Sequence, residues 1–152
     1  MDRIKWSILL GASLATGAGT AYLLWWRAPA PEPQLAGSQV GRALGERATD
    51  GGHFRVALAP ATARIEVGAT QSWLAAVRGP KGEPSTGCSL SFHGLMPEHG
   101  HGLPTAPRAT SEPEPGVYLV EGVRFSMPGF WEIKLDVDAC GPRDVASFEV
   151  QL

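Results

Sequence analysis

From Phe54 onward the chain alternates apolar and polar positions in short runs, each bounded by glycine or proline. That is the period-two pattern of strands with one buried face. Phe54, Val56 and Leu58 alternate with Arg55 and Ala57, and Ile65 and Val67 alternate with Arg64 and Glu66. Trp73 to Val77 makes a third run, closed by the turn signal Gly79-Pro80-Lys81-Gly82-Glu83-Pro84. Cys88, Leu90 and Phe92 share one parity, with Ser89, Ser91 and His93 on the other. Val117 to Phe125 reads as a strand whose apolar parity shifts near Glu121-Gly122, which predicts a bulge there. The most regular run is Phe130 to Ala139, with Trp131, Ile133, Leu135 and Val137 facing one way. Phe148, Val150 and Leu152 close the chain in the same alternation. About seven strands with a turn signal every 8–12 residues or so indicate an all-β antiparallel β-sandwich. No helical period appears after Arg27.

The N-terminus is different. Arg3 and Lys5 precede an uncharged run from Trp6 to Trp26. At ~1.5 Å per residue that run can cross a bilayer core of about 30 Å. Trp6, Trp25 and Trp26 mark its ends as interfacial aromatics do, and the early basic residues favour a cytoplasmic N-terminus. Residues 1–27 therefore predict a membrane anchor that leaves the rest of the chain outside the cytoplasm. The rival is a cleaved signal peptide with a peptidase site near Ala15-Thr16-Gly17-Ala18-Gly19-Thr20-Ala21. Apolar residues continue past that site, which favours the anchor. Residues 28–50, with Ala28-Pro29-Ala30-Pro31-Glu32-Pro33, read as an extended stalk. Residues 51–152 form the expected domain.

The chain has 152 residues, enough for one modest domain and a tail, and its net charge of −2 argues against nucleic-acid binding. Gly 19 and Pro 13 fit short strands with tight turns. In an exported domain Cys88 and Cys140 could form a disulfide, worth roughly 4 kcal/mol for a ~50-residue loop in the chain-entropy view. Two free cysteines are the alternative. No nucleophile elbow, phosphate-cradling loop or Cys/His nucleophile pair is found, so no enzyme is expected.

The chemistry concentrates in Leu95-Met96-Pro97-Glu98-His99-Gly100-His101-Gly102-Leu103-Pro104 and in Phe125-Ser126-Met127-Pro128-Gly129. Thioether and imidazole donors suit a soft metal, above all Cu(I). If Cys88–Leu95 runs up, the chain after Pro104 returns down and turns again within Ser111–Gly116. Val117–Ser126 then runs up. Met96 and Met127 would emerge at one end of the sandwich, beside His99 and His101. The metal set is thus Met96, His99, His101 and Met127, with His93 as a further candidate. Against it stands the plainer reading that both methionines plug the core under solvated histidines. A blue-copper arrangement of Cys88, His93 and Met96 with His53 has the right spacing. It is disfavoured because Cys88 points inward, His93 points outward, and three strands follow instead of one. Pro128-Gly129 predicts a tight turn with glycine at its third position.

These two segments, together with the run from Gly116 through Ile133, resemble the YtkA-like domain, which is related to the FixH proteins. The resemblance covers roughly residues 60 to 152. It implies a small Ig-like β-sandwich on the outer face of a bacterial membrane, often behind one N-terminal anchor. It also implies a link to copper supply and assembly of haem-copper terminal oxidases, with Met96, His99, His101 and Met127 at the matching positions. Leu103 stands where the family often has methionine, and Cys88 and Cys140 lie outside the motif. The expectation is a single-pass, membrane-anchored, periplasm-facing protein that binds or relays Cu(I), exchanging it with a donor or acceptor protein or an oxidase complex. Its main alternative is a metal-free interaction module that assists assembly of a membrane complex. A carrier domain would require an apolar cavity.

Overall fold

The computed structural model describes residues 43–152, all in β-structure, turns and loops, with no helix among them. The anchor or signal segment expected over 1–27 and most of the 28–50 stalk lie outside the described residues. Among the described residues no helix is long and apolar enough to cross a membrane.

Among the described residues nine antiparallel strands follow in order: β1 (Glu46–Ala48), β2 (Arg55–Pro60), β3 (Gln71–Arg78), β4 (Ser89–Met96), β5 (His101–Gly102), β6 (Arg108–Glu114), β7 (Val117–Val123), β8 (Phe130–Asp138) and β9 (Asp144–Gln151). They form one nearly closed sheet, ordered β1-β2-β3-β7-β6-β4-β8-β9, with β5 paired to β4. The link between its halves is thin, a single residue pair, Ser91 with Arg108, joining β4 to β6. The sheet therefore behaves as two layers, β1-β2-β3-β7-β6 over β4-β8-β9.

The core between the layers is what the alternation foretold. Trp131, Ile133, Leu135 and Val137 of β8 are fully buried, as are Val56 and Leu58 of β2. Trp73, Phe92, Phe125 and Trp131 stack as neighbours with ring centroids 5.2–6.1 Å apart. Burying such side chains stabilises by about 1.5–3 kcal/mol each before the entropy of ordering is subtracted. The Trp73 indole Nε1 is buried without a hydrogen-bond partner among the described residues.

Three local expectations meet different fates. The bulge is present: Gln71 and Trp73 oppose Val123 and Val120, which leaves an extra residue on β7, where Gly122 has φ 88°. The Ile65–Val67 strand is absent, and residues 61–70 form a loop. There the side-chain amide of Gln71 bonds both the N–H and the C=O of Glu66, doing the work a neighbouring strand would have done. Pro128-Gly129 is a bend with Gly129 at φ 134°, away from the roughly +80° of the expected turn. Its backbone instead pairs with Leu152 at the end of β9.

The sheet also takes in more than the alternation suggested. β1 lies within the 28–50 stretch, and β6 returns through a segment, Arg108–Glu114, with no apolar alternation. Cys88 and Cys140 are joined, which ties the start of β4 to the end of β8.

Candidate metal site at the loop end

The chain turns sharply after β4. The Met96 carbonyl accepts the N–H groups of His99 (3.2 Å) and Gly100 (2.8 Å), and Gly100 takes φ 66°, a conformation that favours glycine. The chain returns as β5, with Met96 opposite His101 and Leu95 opposite Gly102. Directly opposed residues of an antiparallel pair share a face, with Cβ atoms about 4.5–5.5 Å apart. His101 is thus set on the same face as Met96, at the edge of the core. His99 and His101 are both exposed, with ring centroids 6.2 Å apart and planes tilted by 35°. Neither ring takes a hydrogen bond among the described residues.

Met96 itself is buried, at 1% exposure, and completes the inward series Leu90, Phe92, Gly94. Its terminal methyl lies 2.7 Å from where a Cβ on Gly129 would sit. The hairpin and the Met127-Pro128-Gly129 bend are therefore in contact, and the two loops share one end of the sheet. Met127 is half-buried against the core, and its carbonyl accepts the indole N–H of Trp131 at 3.2 Å. Met96 is thus brought together with His101 and with the bend, and His99 with His101. Among the described residues no group of three or more His, Cys, Asp or Glu is gathered to hold an ion. Any metal set here depends on its thioethers.

Leu103, where a further thioether was a family expectation, packs on Gly94, whose added Cβ would meet the leucine at 2.9–3.3 Å. His93 points outward, as its parity requires, and faces Asp136 (Nε2 to Oδ2, 3.3 Å), which also pairs with Arg143. The blue-copper alternative fails on two counts. Cys88 is consumed in the disulfide with Cys140, and His53 belongs to the far end, bonded to Asp144.

That far end holds what the sequence did not reveal. Asp144 is buried, and its carboxylate accepts the N–H groups of Gly51 (2.8 Å), His53 (3.2 Å) and Val145 (2.9 Å). Desolvation alone would raise its pKa. Hydrogen bonds from the Gly51, Val145 and His53 backbone, beside the polar Thr49 side chain, outweigh that and hold it well below the usual carboxylate range. The Tyr118 hydroxyl donates to the Ser85 carbonyl (2.6 Å) and accepts the Cys88 N–H (3.0 Å), and its burial pushes its pKa up. Glu112 is held below its ordinary value by the N–H groups of Gly116 and Gly87. Each of these is a turn clamp with its donors already engaged.

The loop end is open by comparison. Val67 (42% exposed) and Leu95 (44%) are the exposed large hydrophobic side chains of the described residues, and both lie there. A groove of ≈620 Å³ opens between the ends of β2 and β9, lined in part by Leu44, Pro60, Arg64, Ile65, Val150 and Leu152.

A model of the family described as YtkA-like matches residues 50–136, which include both the hairpin and the bend. Searches of curated proteins and of solved structures find no match to the chain.

Proposed function

The chain belongs to the YtkA-like family, and from that premise we propose that it is a membrane-anchored, extracytoplasmic accessory domain that binds or relays Cu(I) at its loop end. The strand order, with β2-β3-β7-β6 in one layer and β4-β8-β9 in the other, supports an Ig-like reading of the sandwich. The Cys88–Cys140 disulfide supports an oxidising compartment, where such bonds persist. The uncharged run from Trp6 to Trp26 supports the anchor.

One observation carries the metal reading. Met96 and His101 form a cross-strand pair on one face, and the His99 ring stands 6.2 Å from that of His101. The donor chemistry fits a thiophilic ion: His99 and His101 would supply imidazoles from the surface, Met127 a half-buried thioether, and Met96 a thioether from below. When bound, the ion would be held for transfer, with no reaction performed on it. His99 and His101 would give it an exposed, exchangeable side, while Met96, packed against Gly129, ties the hairpin to the bend. Binding should weaken as pH falls, because a protonated imidazole cannot ligate.

The test is Cu(I) titration of the full chain against a His99→Ala, His101→Ala double variant. The expected result is loss of Cu(I) binding with an unchanged fold by circular dichroism. Unchanged copper stoichiometry in the double variant defeats the assignment. A second reading, a metal-free assembly module, is favoured by the exposure of Val67 and Leu95 at the same end. Thermal melting with and without Cu(I), Ag(I) and Zn²⁺ separates the two, since a ligand that binds only the folded state raises its melting temperature.

A further inference from the structure

The apolar side chains that face water gather at one end of the domain. Val67 lies in the connection from β2 to β3, where the Gly68 N–H donates to the Phe125 carbonyl, and Leu95 lies at the foot of the β4–β5 hairpin. Leu95 stands opposite Glu132 on the outer face of β8, which sets half-buried Phe130 on the same face one pleat nearer the loop end. Ile65 and Leu152, also half-buried, line the groove at this end. The turns of the base instead present Lys81, Asp138 and Arg143 to water.

The chain enters the domain at the loop end as well. Leu44 donates its N–H to the Leu58 carbonyl, late in β2, and Ala43 lines the same groove. Residues 28–42 can span at most about 50 Å between the uncharged N-terminal run and that point. The base lies about 30 Å farther on, the length of the nine-residue strand β8. A bilayer under the base would require the chain to return along the whole domain. A bilayer under the loop end requires no detour.

Charge does not select a different partner. The loops of this end carry Arg64 and Arg124 against Glu66 and Glu98, all exposed. With neither sign in excess, attraction to a charged protein face or an anionic headgroup is weak, and the apolar side chains remain. Valine, leucine and phenylalanine enter the boundary between headgroups and acyl chains. A few such contacts capture a free partner poorly. A tether makes docking intramolecular, at an effective concentration in the millimolar range for a short flexible linker, so the same contacts suffice.

We infer that the loop end rests on the lipid surface, with Val67, Leu95 and Phe130 at the headgroup boundary and the base turned away. The inference rests on the anchor reading above and adds which end the membrane covers. His99 and His101 then face the bilayer, and a partner that exchanges metal with them meets them there and not in bulk solvent.

The test is the full chain in phosphatidylcholine nanodiscs that carry a small share of lipid spin-labelled at the headgroup. Paramagnetic broadening of amide signals falls steeply with distance, so the two ends of the domain are resolved. The amides of Val67, Leu95 and Phe130 should lose most of their intensity, while those of Gly82, Gly87 and Gly141 at the base keep theirs. A Val67→Glu, Leu95→Glu double variant, altered only at exposed positions, should lose this difference while remaining on the nanodisc. Lys81→Glu at the base, an equal change in net charge, should retain it. Adding phosphatidylglycerol or high salt should alter the pattern little. Stronger broadening at the base, equal broadening at both ends, or a pattern that survives the double variant overturns the inference. So does contact seen only with phosphatidylglycerol. Broadening at neither end also overturns it, and assigns these side chains to a protein partner. A chain that does not co-purify with nanodiscs refutes the anchor itself, and the inference with it.

Discussion

The two ends of this sheet spend their polar groups in opposite ways. At the base, every notable side chain is engaged. Cys88 is bonded to Cys140, Asp144 is filled by three backbone donors, and the Tyr118 hydroxyl both donates and accepts. At the loop end His99 and His101 are exposed, with no hydrogen bond among the described residues, two large apolar side chains face water, and a groove stands open. Fastening one end allows the other to be chemically unsatisfied without unravelling the sheet. Stability should therefore be governed by the base and ligand response by the loop end.

The harshest way to break that comparison is to remove the staple. A Cys88→Ser, Cys140→Ser double variant opens a covalent loop with a sequence separation of 52. It should lose about 4 kcal/mol in the chain-entropy view, measured by urea unfolding. A much smaller loss would mean that the base is held by its hydrogen bonds alone.

Next in size is Met96, the one candidate donor that belongs to the core. Met96→Ala at a 1%-exposed position should cost about 2–5 kcal/mol, whereas Met96→Leu, which conserves volume, should cost less than about 1.5 kcal/mol. The leucine variant sharpens the reading of the site because it keeps an apolar side chain of similar volume and removes the thioether. Weaker Cu(I) binding with near-native stability would assign Met96 a ligand role. Native copper affinity would leave it as packing beneath the two histidines.

Asp144→Asn comes third, with an expected loss of about 1.5–3 kcal/mol, the range for hydrogen bonds to a charged acceptor. Its pH signature is specific. The folded-state pKa is depressed, so the carboxylate contributes its full stability above the unfolded value of about 3.9 and loses it as pH falls through the lower folded value. Wild-type unfolding free energy should decline below about pH 4, and the asparagine variant should show a flatter decline. Identical acid profiles would show that the clasp does not set acid stability.

What could be read along the chain was whatever short-range alternation encodes. β8 and the inward series of β4 follow parity alone, and the β7 bulge was visible because parity slips at Glu121-Gly122. β6 was placed only by the need to return the chain, since Arg108–Glu114 has no apolar period and sits in a broken register against β7. The alternation of Arg64 to Val67 misled because four residues are too few to separate a strand from a loop with one half-buried isoleucine. The base clasp was invisible: Asp144 bonds residues 91 and 93 positions away, and no local pattern announces a contact of that range. At the loop end the residue types and their shared end were legible. Which sulfur is buried depends on the register that sets Met96 opposite His101.

The smallest expected effect is the most discriminating between the two ends. His99→Ala and His101→Ala, singly or together, remove exposed side chains that take no hydrogen bond, so metal-free stability should stay within about 0.5 kcal/mol of wild type. The same variants should lose the copper-dependent rise in melting temperature, because the folded state no longer gains binding free energy. A base variant such as Asp144→Asn should do the reverse, lowering the metal-free melting temperature while preserving the copper-induced increment. If the histidine variants prove strongly destabilising without metal, His99 and His101 are structural groups. The division between a fastened base and a free loop end then fails at its centre.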